Sequence, residues 1–245
     1  MPTIAYQLYC SRNWPLEDTL KMLKAAGYSA VEGYGALFAN PGELVDLLKA
    51  NDMAMPSGHF GLDMVEGDPD QTIKLAKDCG VKKVFVPFLM PDQRPDDREG
   101  WEAFAKRLAE AGKPIRDAGL AYGWHNHDFE LADLGGITPL DLIAEAGVDL
   151  ELDLGWVKRG GQSPVAWIDK YASRISAVHV KDIAPEGEAT DEGGWADVGH
   201  GTMDWGSIKP VLDAAGITHY VLEHDNPNDH ERFATRSLAT VKGWN

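Results

Sequence analysis

The 245-residue sequence has only two cysteines, Cys10 and Cys79, which is too few for a disulfide framework. We therefore interpret them as reduced thiols that pack in the interior of a cytoplasmic protein. The sequence also lacks an apolar run of about 18 residues, so no membrane-spanning helix is expected. Its first residues lack the basic stretch followed by an apolar stretch that is typical of a secretion signal. We therefore expect a cytoplasmic protein without a membrane partner.

Positive charge is scarce as well. There are 23 lysines and arginines against 39 aspartates and glutamates, which gives a formal net charge of −16. A nucleic-acid-binding protein needs a basic surface that replaces the counterions of the phosphates, and this sequence has no lysine or arginine cluster. Nucleic acid is therefore not an expected partner, whereas a local basic pocket for one small phosphate remains possible.

Short β-like runs alternate with helix-length amphipathic stretches along the whole chain, an order that predicts parallel strands joined by right-handed crossovers. The predicted strands are Thr3–Tyr9, Ala30–Gly33, Met53–His59, Lys83–Pro87, Ala121–Asn126, Asp149–Leu154, Ala177–Lys181 and His219–His224. The predicted helices are Leu16–Ala26, Pro41–Ala50, Pro69–Asp78, Trp101–Ala118, Leu140–Ala146, Pro164–Tyr171, Trp205–Ala215 and Phe233–Val241. Eight such units in this length predict one α/β domain over residues 1–245, a (β/α)8 TIM barrel. The long stretches 91–100 and 185–201 are expected to surround its mouth.

Several predicted strands end in ionisable residues, where the interior of a barrel is ordinarily apolar. In the sixth strand, Asp149, Glu151 and Asp153 share one face because side chains alternate along a strand. The seventh strand places His179 and Lys181 on one face. Three acids that point into a barrel repel one another unless a cation compensates their charge.

The neighbouring strands carry the same kind of residue at the same end. The fifth strand places His125 and His127 on one face with Glu130 just beyond, and the eighth ends in Glu223. Each residue alone has an ordinary explanation, such as a hydrogen-bonded polar group, a helix cap or, for Lys181, an ion pair with a neighbouring aspartate. Four strands that deliver acids or imidazoles to one rim predict instead a divalent-metal site, which suits Mn²⁺, Co²⁺, Mg²⁺ or Zn²⁺.

The same strand ends resemble those of the sugar phosphate isomerase/epimerase superfamily, the xylose isomerase-like barrels. The resemblance lies in six stretches in family order, namely residues 6–9, 124–130, 151–157, 174–182, 199–205 and 222–223. It implies a metal held by a Glu, an Asp, a His and a Glu from strands five to eight. The last three fall on Asp153, His179 and Glu223.

The first ligand of that set departs from the family pattern. Many relatives place a glutamate inside strand five, where this chain has His125, so we assign Glu130 in the following loop as the fourth ligand. His125 is its rival, and Glu151 is a third candidate. The family's Gly-Glu-Gly before the last helix is also changed, because His200 replaces the glutamate.

The resemblance implies an enzyme that removes a carbon-bound proton from a sugar or keto-sugar through a metal-stabilised enediolate. Manganese is the first choice of metal. Residues expected to act in catalysis are His125, His127, Glu130, Lys181 and Glu223. Residues expected to bind the substrate are His59, Trp156, Lys181 and His200.

The first functional hypothesis is an isomerase or epimerase. A lyase or dehydratase acting on a keto-sugar, keto-glycoside or keto-inositol is the alternative, modestly favoured by the histidines of strand five. A barrel that binds a sugar without catalysis is a further alternative, and a homo-oligomer is possible. An apurinic endonuclease is disfavoured, because it needs more histidines than the eight present and a basic groove.

Overall fold

The structure is a computed structural model that describes residues 2–244, so Met1 and Asn245 of the predicted domain lie outside the described residues. Eight parallel strands close into a barrel in the order β1-β10-β7-β6-β5-β4-β3-β2. The predicted (β/α)8 barrel is therefore confirmed. Its strands are β1 Thr3–Gln7, β2 Ala30–Gly33, β3 Ala54–His59, β4 Lys83–Val86, β5 Ala121–His125, β6 Asp149–Asp153, β7 Ile175–Val180 and β10 His219–Leu222. The strands β8 Asp182–Ile183 and β9 Trp195–Ala196 form an antiparallel hairpin outside the barrel.

Helices connect the strands and cover the outside of the barrel. They are α1 Leu16–Ala26, α2 Pro41–Ala50, α3 Leu62–Gly67, α4 Pro69–Asp78, α5 Arg98–Ala111, α6 Lys113–Asp117, α7 Pro139–Glu145, α8 Leu154–Arg159, α9 Pro164–Tyr171, α10 Trp205–Ala214 and α11 His230–Lys242. The helices α3 and α8 were not predicted, because six residues are too few to show a helical period. None of the helices within residues 2–244 is both long and apolar enough to cross a membrane.

The predicted helix Trp101–Ala118 is in fact two helices, α5 and α6, which meet at Gly112. Pro114 has no backbone N–H and its ring conflicts with a helical carbonyl four residues earlier, so one continuous helix is disfavoured. Gly112 also lies close to Tyr122 of β5, because a Cβ atom at this position would be 2.0 Å from the tyrosine ring. The break therefore lets the helix pair follow the barrel wall.

The barrel interior changes from apolar to polar along the strands. Ala5, Ala30 and Val221 form a small buried apolar cluster between β1, β2 and β10. Two residues further along the same three strands lie Gln7, Glu32 and Glu223, which face the same side because side chains alternate. All three are buried. The polar layer therefore lies at the carboxyl ends of the strands, where barrel enzymes place their active sites.

Candidate metal centre

Three adjacent strands bring Asp153, His179 and Glu223 together. In the register of β6 and β7, Asp153 lies opposite His179, and Glu223 follows β10 directly. Nδ1 of His179 lies 2.9 Å from Oε2 of Glu223 and 3.8 Å from Oδ2 of Asp153. His125 joins them, because one potential ligand atom from each of the four residues lies within 4.8 Å of the others. All four are buried.

Neighbouring residues hold this group in place. Asn126, which follows His125 at the end of β5, accepts a 2.9 Å hydrogen bond from the backbone N–H of Asp153. The Asp153 carboxylate accepts a 2.8 Å hydrogen bond from the backbone N–H of Trp156 through Oδ1, which caps α8. Its other oxygen, Oδ2, is therefore directed into the barrel. Burial raises the pKa of Asp153 to about 6, although nearby Lys181 opposes this shift.

The four residues fit a divalent metal. Oδ2 of Asp153 and Nδ1 of His125 are buried and have no hydrogen-bond partner. Such unpaired buried polar atoms are costly and rare in native proteins unless an ion or a water completes them. Two carboxylates and two imidazoles form a ligand set that zinc, manganese and cobalt accept.

The structure places Glu130 apart from this group. Glu130 lies in the 3₁₀-helix Phe129–Leu131, and both of its carboxylate oxygens are engaged. They accept hydrogen bonds from the indole N–H of Trp124 at 2.8 Å and from the backbone N–H of His127 at 2.9 Å. Burial raises the pKa of Glu130 to about 8, although these two hydrogen bonds lower it. The structure thus brings His125, and not Glu130, to the other three residues.

Two further buried carboxylates lie deeper in the barrel. Oε1 of Glu32 lies 2.8 Å from Nε2 of His179 and accepts a 2.8 Å hydrogen bond from the Gln7 amide. Oε2 of Glu151 lies 2.6 Å from Nε2 of His59 and 3.4 Å from Nδ1 of His125. Burial raises the pKa of Glu32, but His59 and His179 outweigh it and hold that pKa well below its ordinary value. These carboxylates support the imidazoles that border the centre.

Glu32 was missed by the sequence-based reasoning. The one available signal is an acid inside the four-residue strand Ala30–Gly33, on the same face as the small Ala30. Glu151 was considered only as a ligand that competes with Glu130. Its position one strand repeat below Asp153 explains why it supports His59 and His125 from beneath.

Lys181 is fully buried among carboxylates. Its Nζ atom lies 2.6 Å from Asp225, 3.1 Å from Glu223 and 3.5 Å from Asp153. Burial lowers its pKa, but these three acids raise it further, so the ammonium remains charged. The shortest ion pair of Lys181 is therefore with Asp225, and its contact with Asp153 is longer than a hydrogen bond. Asp182 instead accepts the backbone N–H groups of the 199–203 loop.

A cavity of about 370 Å³ opens over the centre. It is lined by Tyr9, Tyr34, Gly35, His59, Pro87, Phe88, His125, His127, Glu223 and Asp225. The His127 ring lies 5.2 Å from the His125 ring, and its buried Nδ1 has no hydrogen-bond partner. Burial lowers the pKa of His127 to about 3, so its imidazole is neutral. Two of the four clustered residues, His125 and Glu223, therefore line the same cavity as the unpaired imidazole of His127.

The predicted substrate-binding residues do not all lie at the same cavity. His59 lines the cavity. The Trp156 ring packs against the His127 ring, which also lines the cavity, and the two ring centroids are 5.1 Å apart. His200 is exposed and borders a different depression beside Asp197 and Arg232. It lies there because Asp182 fixes the loop around it and because its own N–H turns back to the Asp197 carbonyl.

Residues 20–242 match the family model described as the xylose isomerase-like TIM barrel. The chain belongs to this family. It is 27% identical over 245 residues to the rhizopine catabolism protein MocC of Rhizobium meliloti, an alignment that covers 85% of this chain and 74% of that protein. It is also 27% identical over 175 residues to the inosose dehydratase of Clostridium beijerinckii, covering 60% of this chain and only 57% of the dehydratase.

Solved structures show the same fold. A sugar phosphate isomerase/epimerase of Parabacteroides distasonis superposes with a TM-score of 0.81 at 18% identity, covering 99% of this chain and 94% of that one. The IOLI protein, solved with a bound zinc atom, superposes with a TM-score of 0.76 at 16% identity, covering 99% and 97% of the two chains. At 18% and 16% identity, these superpositions show a shared fold.

Proposed function

We propose that this barrel is a metal-dependent enzyme that removes a proton from the carbon beside the carbonyl of a polyhydroxylated ketone. The observation that carries the proposal is the convergence of His125, Asp153, His179 and Glu223, of which His125 and Glu223 line the cavity. A divalent ion, when bound there, supplies the Lewis acidity that stabilises negative charge on the substrate oxygens. Two observations support this assignment. The IOLI protein, which has the same fold, was solved with a bound zinc atom, and two polar atoms of the candidate ligands are buried here without a hydrogen-bond partner.

His127 is the proposed base. It lines the cavity, it has an unpaired nitrogen, and its ring is held between Phe88 and Trp156 by ring contacts of 5.1 Å each. A base must reach the carbon-bound proton from a fixed position, and packing on both sides provides that position. Glu130 supports the same segment, since it accepts the His127 backbone N–H and does not face the cavity.

Lys181 and His59 have supporting roles in this proposal. The Lys181 ammonium balances the charges of Asp153, Glu223 and Asp225 and so holds the carboxylates in one arrangement. His59 lines the cavity with its Nε2 fixed by Glu151, and we assign it to binding the hydroxyl groups of the substrate.

The fate of the proton distinguishes the possible reactions. Return of the proton to the neighbouring carbon gives isomerisation, and return to the opposite face gives epimerisation; this is the first candidate. Loss of a hydroxyl from the next carbon gives dehydration. The dehydratase is the second candidate, because inosose dehydratases are among the sequence relatives.

Hydrogen exchange tests the step that both candidates share. The metal-loaded protein is incubated with a panel of keto-sugars and keto-inositols in D₂O, and loss of the C–H signal is followed by NMR. We expect exchange for at least one ketone, and we expect Asp153→Asn to abolish it without changing the circular dichroism spectrum. The matched control is Glu186→Gln, an exposed acid in the 185–201 segment. Full exchange in Asp153→Asn, or none with any ketone in the loaded wild type, would contradict the proposal.

The same samples separate the two candidates. An isomerase or epimerase yields a saturated product that has lost no water and whose mass changes only by the solvent deuterium it retains. A dehydratase yields an unsaturated ketone that has lost water and absorbs in the ultraviolet. Mass spectrometry and absorbance on one reaction mixture therefore assign the reaction.

A further inference from the structure

We infer that the substrate is an uncharged ring-shaped polyol ketone rather than a sugar phosphate. This inference rests on the proposed function, and it specifies the substrate class for that site. A phosphate group requires compensating cations or free backbone N–H groups, usually arginine, lysine or a helix N-terminus. Three features of the structure indicate that the site does not provide such phosphate-binding groups.

The first feature is the charge of the cavity wall. Among the described residues that line it, none is a lysine or an arginine, and two are the acids Glu223 and Asp225. His59 also lines the cavity, but its Nε2 is already paired with the carboxylates of Glu151 at 2.6 Å and Glu32 at 3.1 Å. Arg12 lies near the cavity, but its guanidinium group already makes other contacts. It lies 4.2 Å above the Tyr9 ring and donates a hydrogen bond to the backbone carbonyl of Asp225 at 2.6 Å. Arg94 packs 5.0 Å from the Phe88 ring and donates to a backbone carbonyl at 3.0 Å.

The remaining cations near the centre are also engaged. Lys181 is fully buried and pairs with Asp225 and Glu223 at 2.6 and 3.1 Å. Arg159 lies 3.5 Å above the Trp195 ring and donates to a backbone carbonyl at 3.0 Å. A divalent ion would be matched by Asp153 and Glu223, and Lys181 is paired with Asp225. The imidazoles of His59 and His179 are paired with Glu151 and Glu32. No positive charge is then left over for a phosphate dianion.

The second feature is the place where barrels of this type commonly bind phosphate, the loops that follow the last two barrel strands. In the loop that follows β7, a carboxylate already occupies the available donors. Asp182 accepts the backbone N–H groups of Gly199 and Met203 at 2.8 and 3.0 Å and the indole N–H of Trp205 at 2.8 Å. A phosphate at this position would have to displace a buried carboxylate, which would leave either Asp182 or the phosphate without partners.

The third feature is the exposed aromatic surface in the cavity wall. Tyr9 and Phe88 line the cavity and remain 39% and 38% exposed, which is unusual for large aromatic side chains. The exposed parts of these rings suit the apolar C–H faces of a ring sugar or an inositol, whose hydroxyl groups point outwards. The cavity thus offers apolar contact and acidic hydrogen-bond acceptors, both of which favour an uncharged polyol.

The test compares matched ligand pairs by calorimetry on the metal-loaded protein. Each pair consists of a ketose or keto-inositol and its monophosphate ester. We expect at least one uncharged ketone to bind, and its ester to bind at least about tenfold more weakly. An ester that binds as tightly as its parent overturns the inference, and so does the absence of binding by every uncharged ketone. Hydrogen exchange then separates the two proposals: exchange with the esters alone rejects the substrate class and leaves the proposed function standing.

A pair of variants tests the aromatic contact. Phe88→Ala should weaken binding of the uncharged ketone about fivefold, because the ring surface that faces the ligand is removed. Met90→Ala is the matched control, since Met90 lies two residues away, is 55% exposed and does not line the cavity. Equal affinities of both variants for the ketone would remove the aromatic part of the inference.

Discussion

Oε1 of Glu32 lies 2.8 Å from Nε2 of His179, while the other ring nitrogen of that histidine faces Glu223 at 2.9 Å. The carboxylate behind the imidazole therefore determines which nitrogen is presented to the candidate metal site. Carboxylates that accept the N–H of a ligand histidine fix its ring orientation and increase its basicity. Glu32 acts here as a positioning residue that does not itself join the proposed ligands.

Replacement of Glu32 tests this role. Glu32→Gln should lower the affinity for a divalent metal by about tenfold or more, because the amide no longer provides a charged acceptor behind His179. The affinity is measured by competition with a chelator of known strength. Glu186→Gln serves as the control for the loss of one negative charge. An unchanged metal affinity in Glu32→Gln, with a normal melting temperature of the metal-free protein, would argue against the role.

The choice between His125 and Glu130 as the fourth ligand leads to a second prediction. His125→Ala should lose metal, because it removes an imidazole that lies among the other proposed ligands. Glu130→Gln should keep its metal content and lose about 1–3 kcal/mol of stability instead, because the side-chain NH2 group cannot accept and one of the two buried N–H donors loses its acceptor. Metal content by mass spectrometry and urea unfolding give both values. Full metal content in His125→Ala would contradict this assignment, and Glu130 or Glu151 would then be the candidate for the fourth ligand.

The sequence predicted the barrel because its signals are local. Strand–helix alternation and the glycines that follow helices can be recognised within a few residues. Five glycines that come after predicted helices adopt positive φ angles between 70° and 97°, namely Gly27, Gly80, Gly119, Gly147 and Gly216. Asp153, His179 and Glu223 could be placed for the same reason, since each lies at the end of a recognisable strand.

What escaped prediction depends on contacts between distant parts of the chain. Glu32 meets His179 across 147 residues, and nothing near Glu32 indicates that partner. The position of Glu130 depends on the 3₁₀-helix after β5, which turns the carboxylate towards Trp124. The position of His200 depends on Asp182, which binds the backbone on either side of it.

Metal binding should also be visible as a change in thermal stability. Addition of Zn²⁺ or Mn²⁺ to the chelator-treated protein should raise the melting temperature, because an ion that binds only the folded state stabilises it by mass action. Asp153→Asn and Glu223→Gln should remove most of this increase, whereas Glu186→Gln should retain it. No increase in the wild type at millimolar metal would favour a barrel that binds sugars without catalysis.

The buried carboxyl of Glu130 predicts how stability depends on pH. Burial raises its pKa from 4.5 to about 8, so the folded state retains a proton that the unfolded state has already released. The contribution of this group to the free energy of unfolding is therefore complete below about pH 4.5 and declines as the pH rises towards 8. Glu130→Gln cannot ionise, so the stability difference between wild type and this variant should shrink over that range.

Urea unfolding at several pH values between 5 and 9 measures this difference directly. Subtracting the variant from the wild type removes the contributions of the other titrating groups, since those are common to both proteins. Glu186→Gln, which removes an exposed carboxyl, should instead run parallel to the wild type over the whole range. A difference between wild type and Glu130→Gln that stays constant from pH 5 to 9 would mean that Glu130 is already ionised in the folded protein. Its carboxylate would then be stabilised mainly by the Trp124 and His127 donors, which outweigh burial.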